Sequence, residues 1–198
     1  MFSKRVIILI LSILSANLLE AHPHVFMTSK STLKFNSKGL SSIEVELRMD
    51  EMASSLFISD YDHNKDDIFD LEELSLIENY FDQFKSQNYF ADLRIDEEII
   101  TVSMLSDFNV EIEDQVVIIS YQFKLSKSIQ RHTLIEWSLY DANYYNDIFF
   151  SQSSLFVEGL ENFSTKFEFI SEDASKAYYL KQVYPNVLEL ELKPKSDV

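Results

Sequence analysis

Cysteine is absent from the 198-residue chain, glycine occurs twice, proline three times, and 17 basic residues face 33 acidic ones. Without cysteine there is no disulfide, no thiol nucleophile and no lipid anchor on a cysteine, so the core must hold by burial alone. The two glycines form no phosphate-cradling loop and no G-x-S-x-G nucleophile elbow. A formal charge of −16 repels nucleic acid and anionic membranes and attracts cations. Acidity of this size also serves solubility in an exported protein. A long hydrophobic run is missing as well: the apolar stretch near the start ends at Leu19 at the latest, short of the roughly 20 residues a spanning helix needs.

What is present at that end is the layout of a secretory signal peptide. Lys4 and Arg5 precede the apolar "VIILILSIL" of residues 6 to 14, and Ala21 offers a small residue at a cleavage site, with Ala16 as the alternative. Residues 1–21 are therefore expected to be removed, and 22–198 to form a single β-rich periplasmic domain without direct membrane insertion. The mature chain would carry 15 basic and 32 acidic side chains.

From Val25 the pattern alternates. "VFMTSKSTLKF" and "LSSIEVELRM" have period two and are separated by "NSKG", whose Gly39 suits a tight hairpin turn. The period then changes to three and four, with Met52, Leu56 and Phe57 before an acidic stretch and Leu74, Ile77, Phe81 and Phe84 after it. After Tyr89 short strand patterns return to the end, interrupted by a helical candidate near residues 172 to 182. The expected fold is α+β, mainly β: an antiparallel sandwich or open sheet with an EF-hand-like helix-loop-helix inserted at about 51–88.

The acidic stretch "DHNKDDIFDLEE" fits the twelve-residue calcium loop. Asp62, Asn64, Asp66, Asp70 and Glu73 fall on positions one, three, five, nine and twelve, and Ile68 at seven would offer its carbonyl. A hard divalent cation takes six to eight oxygens, and alternate residues of a tight loop can all point inward. Phe69 is the hydrophobic anchor at position eight, while His63 points away. Asp67 departs from the pattern at position six, where glycine normally takes the left-handed turn; the departure costs on the order of 1 kcal/mol. A lone loop of this type in an exported protein is expected to bind at about 0.1–1 mM.

Cleavage after Ala21 would leave His22 as the first residue, with its α-amine, and His24 two positions on. These nitrogens suit a borderline divalent metal such as Ni, Co, Zn or Cu. Pro23 has no amide proton, so the square-planar mode through deprotonated backbone amides is excluded. A histidine pair that only precedes a strand is the alternative. Among weaker constellations, Trp137, Tyr140, Tyr144 and Tyr145 surround Asp141 and read as strand-end packing more readily than as a ligand-facing edge. His132 and Glu136 share a strand face, but "HTLIE" lacks the second histidine of a zinc-protease helix.

The order "AHPHVF", "MDEM", "DHNKDDIFDLEEL", "NYFADLRID" and "WSLYDANYY" resembles the domain of unknown function 1007 family, exported bacterial proteins described as an uncharacterised periplasmic component of an ABC-type transport system. The resemblance spans nearly the whole mature chain. Members are often associated with nickel/cobalt-type transporters, so the resemblance implies a membrane metal transporter as partner, His22 and His24 as metal-facing residues, and Asp62, Asn64, Asp66, Asp70 and Glu73 as the loop ligands. Besides Asp67, the chain departs from the family pattern at "IDEE", where a glycine turn is usual.

These readings converge on a non-enzymatic periplasmic accessory protein of transition-metal transport. The alternatives are a calcium-stabilised interaction module without transition-metal binding, and a copper enzyme with an amino-terminal histidine brace.

Overall fold

The alternation after the export segment becomes a long hairpin of β1 (Val25–Asn36) and β2 (Gly39–Met49), with Leu33, Ile43, Val45 and Leu47 buried. The structure, a computed structural model, describes residues 23–102 and 104–195. The expected signal peptide of residues 1–21 and His22 therefore lie outside the described residues. Gly39 has φ +147°, and a Cβ there would come within 2.2 Å of the Lys127 carbonyl oxygen, so glycine lets a third strand approach the hairpin's turn.

That third strand is β6 (Val116–Ser128), preceded by β5 (Ser106–Glu113) and followed later in the chain by β7 (Thr133–Leu139), β8 (Asn146–Phe149) and β9 (Leu155–Glu158). The first sheet runs β5-β6-β2-β1-β8, with β9 also on β1. Its main pairs are antiparallel, as expected, but β8 and β9 join β1 in parallel, giving the sheet a mixed edge. The second sheet adds β3 (Ala91–Ile95), β4 (Glu98–Ile99), β10 (Phe163–Ile170) and β11 (Val187–Pro194) in the order β10-β11-β7-β3-β4. The two sheets meet through Phe123 against Trp137, centroids 6.2 Å apart, and Phe35 against Phe163, also 6.2 Å apart.

Scarce glycine leaves its mark on the turns. Asp96 and Glu97 link β3 to β4 with φ of 50° and 71°, and Asp114 and Gln115 link β5 to β6 with φ of 51° and 64°. Both are two-residue hairpin turns with left-handed backbone at both central positions, the geometry that fits the right-handed strand twist. Asp tolerates that region better than most side chains, so the "IDEE" turn closes without glycine.

Two helices stand between β2 and β3: α1 (Glu51–Tyr61) and α2 (Leu71–Phe81), continued by a 3₁₀ segment, Asp82–Phe90. Asp50 caps α1, accepting from the Met52 and Ala53 N–H groups at 2.8 and 3.0 Å, and its other oxygen accepts from Phe26 N–H. Burial pushes the Asp50 carboxyl up, but these backbone donors together outweigh it and hold it below its ordinary value. Buried Ser54 accepts from Val117 N–H at 3.0 Å and ties α1 to β6. Phe81 ties α2 to the sheet, stacking on Tyr89 and meeting Phe108 and Tyr121 at 5.4 Å each.

The helix expected near residues 172 to 182 does not form. Only a single 3₁₀ turn, Ala174–Lys176, occurs there, followed by left-handed backbone at Tyr179, Leu180 and Lys181. Tertiary contacts override the local propensity: Tyr178 lies 4.5 Å from the Tyr140 ring, Tyr179 packs on Tyr144, and Lys176 pairs with Glu136. Among the described residues no helix is long and apolar enough to cross a membrane.

Candidate functional site

The loop between the helices has a backbone shaped for inward-facing oxygens. Lys65 and Asp67 take φ of 61° and 60°, so the left-handed turn expected at position six is made by Asp67 itself, with position four matching it. Asp62, at the carboxyl end of α1, is buried; its Oδ1 accepts from Lys65 and Asp66 N–H at 2.7 and 3.3 Å, and its Oδ2 from Asp67 N–H at 3.0 Å. Asn64 Oδ1 accepts from Asp66 N–H, and Asp66 Oδ1 accepts from Ile68 N–H, each at 3.0 Å.

The exit from the loop is equally organised. Asp70 caps α2 by accepting from Glu72 and Glu73 N–H, and Glu73 Oε2 accepts in return from Asp70 N–H, a capping box. Glu73 is buried, and its Oε1 accepts from His63 N–H at 2.7 Å, so its carboxylate closes the loop onto position two. Phe69 is buried with its ring 6.1 Å from Phe57, whereas the Ile68 side chain is exposed, leaving its peptide group as its contribution to the loop. His63 is exposed, as expected.

The donor set fits a hard cation. A carboxylate offers about four lone-pair sites, so Asp62 keeps acceptor capacity beyond its three backbone bonds, and Glu73 keeps more. Among the described residues no three His, Asp or Glu side chains converge as a closed coordination shell. The physical reason is visible in the contacts just given: each buried carboxylate is turned onto loop N–H groups.

His24 lies elsewhere on the same insert's border. Its backbone N–H donates to the Tyr145 carbonyl at 2.9 Å and its ring sits 5.0 Å from the Tyr145 ring. Together they open on a largely apolar cleft of about 450 Å³, lined by Met27, Met49, Met52, Phe57 and Phe81 among others. Asp60 and Tyr61 from the last turn of α1 line it too, and Asp62, the first loop position, follows directly. His24 and the last turn of α1, which leads directly into the acidic loop, thus line the same cleft.

Of the other aromatic residues considered, Trp137 is core and Tyr140 donates to Asp92 Oδ2 at 3.2 Å. Burial, then the Asp92 charge, pushes the Tyr140 hydroxyl up to about 12. Asp141 is a turn anchor, accepting from Asn143 N–H and from both the N–H and side-chain amide of Asn146. His132 meets Glu191 at 3.2 Å, while Glu136, expected on the same strand face, pairs with Lys176. The sequence reading missed the role of Tyr145 and the meeting of the methionines. Both are long-range: Tyr145 reaches His24, and Met27 meets Met49, only through the fold.

A family model described as "Protein of unknown function (DUF1007)" matches residues 7–186, nearly the whole chain. The chain belongs to that family. This DUF1007 chain is also 27% identical over 129 residues to the "Uncharacterized 15.5 kDa protein in trpE 3'region" of Spirochaeta aurantia, an alignment covering 65% of the chain and 92% of that relative. For the DUF1007 chain the resemblance noted on the loop and the HPHV start is thereby established as family membership.

Proposed function

We propose that this protein is a periplasmic, non-enzymatic metal-binding accessory of a transition-metal transport system, in which a calcium-type loop sets the helix pair beside the metal-capturing histidines. The observation that carries the reading is structural continuity. The loop whose backbone already takes left-handed turns at Lys65 and Asp67 ends on α1, whose last residues share a cleft with His24. Calcium would neutralise the crowded carboxylates of Asp62, Asp66, Asp70 and Glu73, with Asn64 and the Ile68 carbonyl completing an all-oxygen set. That would fix the α1–α2 angle and so the cleft wall. His22 and His24 would take nickel, cobalt, zinc or copper, and an overall charge of −16 attracts cations to the molecule. A membrane transporter is the partner such a role requires.

The test is calorimetric titration of the mature chain with Ni²⁺, Co²⁺, Zn²⁺ and Cu²⁺, repeated on the double variant His22→Ala, His24→Ala, after mass spectrometry of the mature amino terminus. Binding of one of these ions in the parent and its loss in the variant is expected. Absence of binding, or binding unaltered in the variant, overturns the transition-metal role. A calcium-stabilised interaction module is the second reading. It is favoured by the exposed apolar side chains of the helix pair, Met52, Leu56, Leu71 and Leu76, and it predicts calcium binding with no transition-metal site.

A further inference from the structure

Methionine is sparse in this chain, with five residues in 198, yet three of them meet. Met27 on β1 and Met49 on β2 are register partners, which places their Cβ atoms about 4.5–5.5 Å apart on one face of the sheet. Met52 follows three residues later in the first turn of α1. All three line the His24 cleft, and all three also line a second cleft of about 640 Å³ on the other side, toward Asp50 and Asp147. Both clefts thus share these three side chains, of which Met52 is exposed to solvent.

Packing explains only part of this. Met27 and Met49 are 6% and 8% exposed and could be gap-fillers of the core, but Met52 is 65% exposed, where a flexible apolar side chain contributes little to stability. Thioether sulfur is a soft, uncharged donor that needs no deprotonation. With an imidazole it selects Cu(I) and similar soft monovalent ions over hard cations. A chain without cysteine has no thiolate to offer such an ion, and methionine with histidine is the donor set left to it.

We propose that Met27, Met49 and Met52, with the His24 imidazole, form a binding site for a soft monovalent cation, Cu(I) or its redox-inert counterpart Ag(I). The site goes beyond the divalent role proposed above and relies on it only for physiological context. The molecule then sorts cations by donor type. Hard ions meet the oxygens of the loop, and soft ions meet sulfur and nitrogen at the cleft. Long, unbranched methionine side chains give the sulfurs the freedom to converge on one ion without moving the strands.

The experiment titrates the mature chain with Ag(I), and with Cu(I) under anaerobic conditions against a bicinchoninate competitor. Parallel samples carry Met52→Leu, the pair Met27→Leu with Met49→Leu, and His24→Ala. Leucine conserves volume closely enough to keep the fold, and Met52→Leu lies on the surface, so it remains informative if the paired change lowers stability. One ion per chain is expected, weakened by roughly tenfold or more in each methionine variant, since even outer-shell changes at metal sites cost 10–100-fold. Bound Ag(I) should also slow peroxide oxidation of Met52 while leaving exposed Met104, which lies outside the cleft, unaffected. No Ag(I) or Cu(I) binding in the parent, or binding unchanged in both methionine variants, overturns the site. If Ni²⁺ or Co²⁺ binding depends on His24 while the methionine variants hold Ag(I) like the parent, the thioether site falls and the divalent role stands. If Ag(I) behaves as expected and no divalent transition metal binds, the thioether site stands and the divalent role falls.

Discussion

Two regions of this molecule crowd carboxylates, and they resolve the repulsion in opposite ways. On the second sheet Asp92 accepts from Arg94 Nε and Nη2 at 3.0 and 3.3 Å, and Glu136, the register partner of Arg94, pairs with Lys176. The hydrogen bond from Arg94 to Asp92 raises the guanidinium further, although burial works against it. In the loop after α1, Asp62, Asp66, Asp67, Asp70, Glu72 and Glu73 lie within twelve residues, and among the described residues none of them joins an ion pair. The loop offers its carboxylates peptide N–H groups and one neutral side-chain donor, the Asn64 amide on Asp66 Oδ2 at 3.1 Å. The difference teaches where the proposed external ion would have a role: the β3–β7 cluster contains its own cations and is closed, whereas the loop is organised but short of positive charge.

Breaking the closed cluster should have the largest effect. Glu136→Gln leaves Lys176 largely buried without its partner. The expected loss is about 3 kcal/mol, the lower end for a buried pair because about a tenth of each side chain still reaches solvent. Chemical denaturation should show that loss equally with and without calcium. Replacing both partners, Glu136→Leu with Lys176→Met, should cost much less, because no charge is then stranded.

The open loop should respond to the ion instead. With an affinity of about 0.1–1 mM, about 10 mM calcium stabilises the fold by roughly 1.4–2.7 kcal/mol through mass action. For a chain of this length that corresponds to a melting shift of about 3–10 °C. Glu73→Gln should abolish the shift and leave the Glu136 effect untouched. A melt insensitive to calcium in the parent would remove the contrast between the two regions.

The smallest effect sharpens the loop's one irregularity. Asp67→Gly relieves a non-glycine residue at φ 60°, and in the presence of calcium it should raise stability by up to about 1 kcal/mol. Glycine also adds entropy to the unfolded chain, which subtracts from the gain equally with and without calcium. A destabilised Asp67→Gly protein under both conditions would show that the Asp67 side chain has a structural role of its own.

The legibility of the sequence follows the range of the interactions. The helix-loop-helix was readable because its helical stripes, its anchor Phe69 and both helix caps are encoded within a few residues. The β1–β2 hairpin was readable for the same reason, since period two and Gly39 are local signals. What escaped is long-range. Nothing near Leu155 indicates that β9 pairs in parallel with β1, and nothing near Lys176 indicates Glu136. The helix expected around residues 172 to 182 failed because Tyr178 and Tyr179 pack on tyrosines more than thirty residues earlier. His24 was singled out from its place beside the expected cleavage point, but its cleft is built from β1, β2, α1, α2 and the turn at Tyr145, which only folding brings together.

The central claim is that the loop at residues 62–73 is a cation site shaped in advance by its backbone. Isothermal titration of the metal-free mature chain with calcium, beside Glu73→Gln, tests it most directly. The account predicts one calcium per chain at about 0.1–1 mM and loss of that binding in Glu73→Gln. An absence of calcium binding in the parent, or binding of equal strength in Glu73→Gln, would contradict it.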